Sequence, residues 1–378
     1  MQIKALMKKY PNLLATLQLF LFLYLFLLSL QMMGDGFKLF GSSFSKTLIE
    51  TTSNPFVGLF IGILATSMVQ SSSSTTSIVV GMVAGGALST DTEVAIRLAI
   101  PIIMGANIGT SITNTLASLP QINRSNEFKR AFAAATVHDF FNFLSVIILF
   151  PLQLATNFLG VSASYLGEIF VGIGGLELLS PVKAMTKPIS KYLVGLIENL
   201  AGGAEIYKWI VIIISILLLF IALKYMVSAL KILVVSKAKA WFDEYLFKTA
   251  VRAFIVGILL TVLVQSSSIT TSLIVPLTGA GLLTLTQIFP YTLGSNIGTT
   301  ITAILAALVT GNLAAVIVAF AHLLFNISGI IIWWPFKFVP IALAEKFAEY
   351  SIKNKFIPIA YIVITFFIIP ITVIYIYN

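Results

Sequence analysis

Seven apolar stretches dictate what this chain can become: residues 12–33, 96–119, 130–152, 207–232, 288–309, 313–335 and 356–377. Each approaches the roughly 20 residues that a helix needs to cross the hydrocarbon core of a bilayer. In that solvent only helices and closed barrels satisfy every backbone donor and acceptor, and runs of this length select helices. Composition agrees, because a chain that is 58% hydrophobic, 10% charged and of mean hydropathy +1.02 cannot cover a soluble surface. The fold class that follows is an all-α polytopic membrane protein. A net charge of +9 then reads as basic cytoplasmic loops rather than a nucleic-acid footprint. With no cysteine, disulfides and thiolate metal sites are excluded.

The N-terminal apolar run follows Lys4, Lys8 and Lys9 and is too long for a signal peptide, with no small-residue cleavage site. It is expected to be a first spanning helix entering from a cytoplasmic N-terminus. Two further pairs of apolar runs are too short to span: 56–69 with 78–88, and 251–264 with 273–285. Between the first pair lies QSSSSTTS, and between the second QSSSITTS. Short apolar arms around a polar tip predict a re-entrant hairpin, tolerated at membrane depth where protein or a wet cavity surrounds it.

Those serine rows belong to a larger duplication. GANIGTSITNTLASL at 105–119 is matched by GSNIGTTITAILAAL at 294–308, and HDFFN at 138–142 by HLLFN at 322–326. Motif order is kept in both copies. Counting crossings from a cytoplasmic N-terminus starts the first hairpin outside and the second inside, so the repeats are expected to be inverted. Arg124, Lys129 and Arg130 then fall in a cytoplasmic loop, as do Lys237, Lys239, Lys248 and Arg252, and later Lys337, Lys346, Lys353 and Lys355. Lys183, Lys187 and Lys191 oppose the trend in a long outside segment that also holds Glu168, Glu177, Glu198 and Glu205. The expected organisation is a spanning helix and connector (1–50), repeat unit one (51–153), an outside or interfacial connector (154–206), a linking helix and loop (207–249), repeat unit two (250–336) and a final loop and spanning helix (337–378). Each repeat is expected to carry one re-entrant helical hairpin and one broken helix, the layout of secondary transporters.

Hydroxyls, glutamine amides and the free N–H groups of the following helical arm make each serine row an oxyanion-binding end. A flexible linker or hydroxyl-mediated helix packing are the plainer alternatives. Asn107–Gly109 and Asn296–Gly298 lie in hydrophobic helices that glycine could unwind. Freed carbonyls with Thr110, Ser111, Ser295, Thr299 and Thr302 would offer hard oxygen ligands to an alkali cation. Close helix contact explains the glycines equally simply. Asp139, a carboxylate inside a spanning helix, is a functional candidate by position. Its repeat-mate is Leu323. His138 and His322 recur in both copies, which favours hydrogen bonding between helices over ligation. Neither serine row carries Lys or Arg, so a bound anion would need solution cations for neutralisation. A divalent anion calls for two monovalent cations and Asp139 for one more.

QSSSSTTSIVVGMV, IPIIMGANIGTSITNTLASL and RAFAAATVHDFFNFLSV resemble the first half of type II sodium-dependent phosphate cotransporters, and VQSSSITTSLIVPLTGAGLL, YTLGSNIGTTITAILAAL and HLLFNISGIIIWWPF the second. The resemblance implies sodium-driven import of divalent inorganic phosphate across the cell membrane by alternating access, with Na+ as the co-transported ion and no other cofactor. It implies phosphate binding by Gln70, Ser71, Ser72, Ser73, Gln265, Ser266, Ser267 and Ser268, to which Asn107 and Asn296 are assigned. Gln121, Asn142, Ser295 and Thr299 match a family sodium site, and Thr110, Ser111, Asp139, Thr302 and Asn326 join the expected sodium ligands. Aspartate at position 139 implies electrogenic transport. Arg124 departs from the family pattern, standing where the animal members carry an acidic residue. Segment 154–206 has no cysteine and no glycosylation sequon, unlike the large outside loop of those members, and the sequons at Asn123 and Asn326 fall in a cytoplasmic loop and a helix. The chain thus resembles a compact, bacterial-type member. A symporter for sulfate or a carboxylate, an intramembrane serine hydrolase using His138, and a passive anion channel are the rival readings.

Overall fold

In the computed structural model, residues 11–172, 180–238 and 247–377 are described. Lys4, Lys8, Lys9, Lys239 and residues 173–179 lie outside them. The described residues form helices and no strands. In order these are α1 (Pro11–Thr52), α2 (Pro55–Val69), α3 (Ser72–Ala84), α4 (Thr92–Gly109), α5 (Ile112–Ser118), a 3-10 turn (Leu119–Gln121), α6 (Ser125–Thr156), α7 (Phe158–Gly172), α8 (Ser180–Leu200) and α9 (Ile206–Ala238). The second half adds α10 (Ala250–Val264), α11 (Ser267–Gly279), α12 (Leu285–Thr310), α13 (Leu313–Trp333), α14 (Phe338–Ser351), α15 (Phe356–Val363), a π turn (Ile364–Ile368) and α16 (Ile369–Tyr377).

Among the described residues, seven helical segments are long and apolar enough to cross a membrane, and each coincides with an expected span. Helix α1 differs in its end. It runs 42 residues, straight through Gly34–Asp35–Gly36 and the expected connector, for about 63 Å of helix. Segment 154–206 contains all of α7 and α8.

The short arms form as helices of 15 residues, about 22 Å each and well below a bilayer crossing. Asn54 caps α2 by accepting from Phe56 N–H, and Thr249 caps α10 by accepting from Arg252 N–H. Both arms end on a glutamine in left-handed backbone, Gln70 at φ 55° and Gln265 at φ 54°. The serine rows were expected as polar tips between the arms, and they lie where one helix ends and the next begins. Only the Gln–Ser pair turns the chain; the remaining serines open α3 and α11, because Ser71 and Ser266 act as N-caps.

Helix breaks at the Asn-Ile-Gly-Thr motifs were expected in both copies and occur in one. Helix α4 stops at Gly109, and Thr110–Ser111 separate it from α5 while keeping right-handed φ/ψ. In the second copy α12 runs unbroken from Leu285 to Thr310 through Gly298. Close packing does not distinguish the copies: a Cβ on Gly109 would lie 2.7 Å from both Ile63 O and Thr66 Cβ, and one on Gly298 would lie 2.6 Å from Thr261 Cβ and 2.9 Å from Ile258 O. Gly298 lets two helices touch rather than unwinding either.

The same close approach recurs along both first arms. A Cβ on Gly62 would overlap the Ile102 carbonyl oxygen, and one on Gly105 the Leu59 carbonyl. Gly257 and Gly294 are pressed identically onto Tyr291 and Phe254 carbonyls. Arm α2 is therefore welded to α4, and α10 to α12, at backbone contact distance.

Helix α6, 32 residues and about 48 Å long, separates two ends of the molecule. Its Lys129 and Arg130 share a cleft with Thr278, Thr284, Glu345 and Glu349. Arg130 donates from Nε (2.9 Å) and Nη2 (2.7 Å) to Gly279 O at the end of α11. Lys129 pairs with Glu349 at 2.7 Å, which holds that exposed carboxyl below its usual range. Lys355 Nζ donates to Asn123 at 2.7 Å, joining two of the basic loops. At the opposite end, Asn157 shares a cleft with Thr92, Glu93, Tyr165, Glu168 and Leu313.

Adding a methyl at these welds should be far costlier than elsewhere. Gly62→Ala or Gly294→Ala is expected to destabilise by about 3 kcal/mol or more, because backbone must move. Gly195, with nothing within 4 Å, should accept alanine without loss. Thermal unfolding in detergent, compared across the three variants, checks the contrast.

Candidate functional site

The two serine rows meet. Ser73 Oγ donates to Gln265 O and Ser268 Oγ donates to Gln70 O, each at 3.3 Å, so each tip grips the turn of the other. Ser71 and Ser266 accept from Ser74 N–H (3.2 Å) and Ile269 N–H (3.4 Å). Ser72 and Ser267, buried to 2% exposure, have hydroxyls with no hydrogen-bond partner among the described residues. They sit on the first turns of α3 and α11, where backbone N–H groups also lack helical partners. Two helix N-termini and two free hydroxyls thus converge from the two halves. Gln265 is bound inward, its Oε1 accepting from Thr302 Oγ1 at 2.7 Å, whereas Gln70 is exposed.

Asn107 and Asn296 are engaged beneath the tips. His138 Nε2 meets Asn296 Oδ1 at 2.7 Å, and His322 Nε2 meets Asn107 Oδ1 at 3.1 Å. Asn296 Nδ2 donates to Asn142 Oδ1 (2.9 Å), and Asn107 Nδ2 donates to Asn326 Oδ1 (2.8 Å). Asn142 Nδ2 in turn donates to Asn107 O at 2.9 Å. Each motif asparagine is therefore held by the histidine and asparagine of the opposite half, and all six side chains are buried. The expectation that both histidines tie helices together holds.

Around Asp139 the halves differ. Its Oδ2 accepts from Thr115 Oγ1 (3.2 Å) and Tyr361 OH (2.8 Å), while Oδ1 is buried without a partner. Asn114 Nδ2 donates to His138 Nδ1 (3.0 Å), and Asn114 Oδ1 accepts from Thr271 Oγ1 of α11 (2.7 Å). The corresponding second-half residues are Ala303, Ile304 and Leu323, in place of Asn114, Thr115 and Asp139. His322 Nδ1 accordingly has no partner. No Lys or Arg compensates Asp139 among the described residues, so a buried carboxylate stands with one oxygen open.

Of the remaining expected cation ligands, Ser111 also brings its hydroxyl within hydrogen-bonding reach of the Asp139 carboxyl. Thr110, Ser111 and Thr299 donate to Ala106, Ile108 and Ser295 carbonyls of their own helices, which leaves hydroxyl lone pairs outward. Ser295 Oγ lies 3.5 Å from Thr270 Oγ1, itself 2.8 Å from Thr261 Oγ1. Gln121 Oε1 is buried and unpartnered at the end of the 3-10 turn, with no hydrogen bond to Asn142, Ser295 or Thr299. Arg124 turns away to Glu127 at 3.0 Å, with a side chain 73% exposed. Sequence reasoning missed Asn114, Thr115, Thr271 and Tyr361. Comparing the copies position by position exposes the first two, whereas nothing in an apolar C-terminal span marks Tyr361.

A sequence model described as Na+/Pi-cotransporter matches residues 25–178 and 218–332. The chain belongs to the Na+/Pi-cotransporter family. It is 36% identical to sodium-dependent phosphate transport protein 2B of Homo sapiens, over 91% of this chain and 62% of that protein. It is 33% identical to sodium-dependent phosphate transport protein 2A of Mus musculus, over 98% of this chain and 68% of that one. The chain thus spans about 62% of the human relative's length. No solved structure matches. Membership and seven spanning-length apolar helices make this a multi-pass membrane protein. The serine tips, both Asn-Ile-Gly-Thr motifs and Asp139 fall inside the matched residues, and Tyr361 falls outside them.

The two histidines should differ in weight. His138→Ala strands Asn114 and Asn296 together and is expected to cost about 2–4 kcal/mol, while His322→Ala strands Asn107 Oδ1 alone and should cost about 1–2 kcal/mol. Thermal unfolding of the purified variants measures the order.

Proposed function

We propose that this protein imports inorganic phosphate with sodium, as a secondary symporter in the cell membrane rather than an enzyme. The observation that carries the reading is the meeting of the two serine rows. Ser72 and Ser267 offer free hydroxyls beside two helix N-termini, which is the donor set an oxyanion needs. That set contains no protein cation. Sodium supplies the missing charge, and the open oxygen of Asp139 gives it a place to bind. Anion and cation then raise each other's affinity reciprocally, the thermodynamic basis of coupling. The names of the relatives favour phosphate and sodium over sulfate or a carboxylate. A net charge carried by Asp139-linked sodium makes the cycle electrogenic.

Two re-entrant hairpins in inverted repeats fit the helix ends. Phe56 at the start of α2 packs on Phe150 near the end of α6, and Asn312, beside Leu313 of the Asn157 cleft, donates to Ala84 O at the close of α3 (3.5 Å). Both ends of the first pair therefore favour the Asn157 side. Phe254 at the start of α10 packs on Trp334, and Gly279 at the end of α11 is held by Arg130. The second pair favours the Lys129 side. With the basic loops cytoplasmic, the N-terminus is cytoplasmic and the first hairpin opens outside. The boundaries 51–153 and 250–336 then delimit the two units that carry the site through alternating access, and the hydroxyls of Thr110, Ser111, Ser295 and Thr299 with Gln121 and Asn142 contribute to the cation positions. Asn107, Asn296 and Asn326 serve by holding the tips in register.

Uptake of labelled phosphate into proteoliposomes, with and without an inward sodium gradient, tests the reading. Wild type should require sodium, and Ser72→Ala/Ser267→Ala should lose at least about tenfold in apparent phosphate affinity. Sodium-independent uptake, or a fully active double variant, would defeat it. The charge moved per phosphate should fall in Asp139→Gly; an unchanged ratio removes that carboxylate from the cation count.

A further inference from the structure

At two adjacent positions the first copy carries polar residues, Asn114 and Thr115, where the second has Ala303 and Ile304, and they lie between the second serine tip and Asp139. Helix α5 is seven residues long, cut from α4 by the Thr110–Ser111 turn and from α6 by the 3-10 turn. Its adjacent residues Asn114 and Thr115 reach in two directions. Asn114 Oδ1 takes the Thr271 hydroxyl of α11, and Thr115 gives its hydroxyl to Asp139. Asn114 Nδ2 also reaches His138, the chain neighbour of Asp139. A single short helix therefore joins the second serine tip to the open carboxylate.

Both hydroxyls in this link have a choice of acceptor. Thr271 Oγ1 lies 2.7 Å from Asn114 Oδ1 and equally 2.7 Å from Ser267 O. A hydroxyl carries one proton, so it serves one acceptor at a time or shares between them. Thr115 Oγ1 likewise lies 3.2 Å from Asp139 Oδ2 and 3.4 Å from Ser111 O. Ser267, whose carbonyl competes for Thr271, is the residue with the free hydroxyl at the anion end. A shift in the first turn of α11 thus makes or breaks the Asn114 contact. A cation at Asp139 would repel the Thr115 proton and turn it to Ser111.

We propose that Asn114 is the coupling residue of this transporter, a positioning residue that transmits the state of the second serine tip to the Asp139 cation position through α5. The inference rests on the sodium–phosphate symport reading above. The second copy shows that the scaffold tolerates alanine there: Ala303 occupies the equivalent place in an unbroken, buried helix. Link and carboxylate occur together in the first half and are absent together from the second.

The experiment measures apparent half-saturation for phosphate at two sodium concentrations tenfold apart, in proteoliposomes holding the full chain. Wild type should gain about fivefold or more in apparent phosphate affinity at the higher sodium, the scale of ordinary linkage between sites. Asn114→Ala should retain sodium-driven uptake while this gain falls below about twofold. A purely structural defect lowers yield and maximal uptake but leaves the gain intact. Thr271→Val, which cuts the same link from the hairpin side, should act alike, and the double variant should be no weaker than either single one. Should Asn114→Ala fail to reach the membrane, Thr271→Val alone carries the test. A wild-type gain preserved in either variant that transports, or fully additive effects of the two, would overturn the role of Asn114. Wild-type uptake indifferent to sodium would instead sink the symport reading itself.

Discussion

Buried amides and imidazoles in a protein surrounded by hydrocarbon must find partners within the chain, since each unpaired group costs a few kcal/mol. Asn107 and Asn296 meet that demand across the duplication, each taking the histidine and asparagine of the other half. The two units are consequently crossed rather than merely adjacent. Neither motif helix can be satisfied without the opposite copy, and both serine tips are set in register above the same lattice. Ser73 and Ser268 then exchange hydrogen bonds with the turns of Gln265 and Gln70 as a consequence of that register.

Glycine contacts complete the rigid part. With carbonyls of one helix against the backbone of the next, α2 cannot move apart from α4, nor α10 from α12. Each serine tip is thereby fixed to the helix bearing its own Asn-Ile-Gly-Thr motif. Around Asp139 stand elements outside this weld: the short α5, the Thr110–Ser111 turn, and Tyr361 from the C-terminal span. There the two copies have diverged. The matching stretches of the two copies form the serine tips, and their divergence forms the surroundings of Asp139.

Much of this was legible beforehand. Seven spans, short arms, paired serine rows and cross-helix histidines follow from apolar length and from repeated motifs, both of which are properties of linear sequence. The helix break expected in both copies occurs in one. Glycine at 109 and 298 carries the same letter in both copies, yet the first precedes a break and the second does not. Both glycines press equally closely on the preceding arm, Gly109 on Ile63 and Thr66 and Gly298 on Ile258 and Thr261, so neither the letter nor its packing sets the break. Asn107 and Asn296, assigned in sequence to the phosphate site, have side chains hydrogen-bonded to the histidine and asparagine of the opposite half.

By itself the sequence determined the solvent, the helical class, the number of spans, the duplication and the absence of any basic residue beside the serines. These depend on composition and periodicity, which read along the chain. Only the tertiary structure decided that the serine tips touch, that the motif asparagines are claimed by the opposite half, that Asn114 stands between Thr271 and His138, and that Tyr361 closes on Asp139. Those pairings span separations of up to 222 residues, and a hydrogen bond across that distance is set by helix packing angles rather than by spacing in the chain.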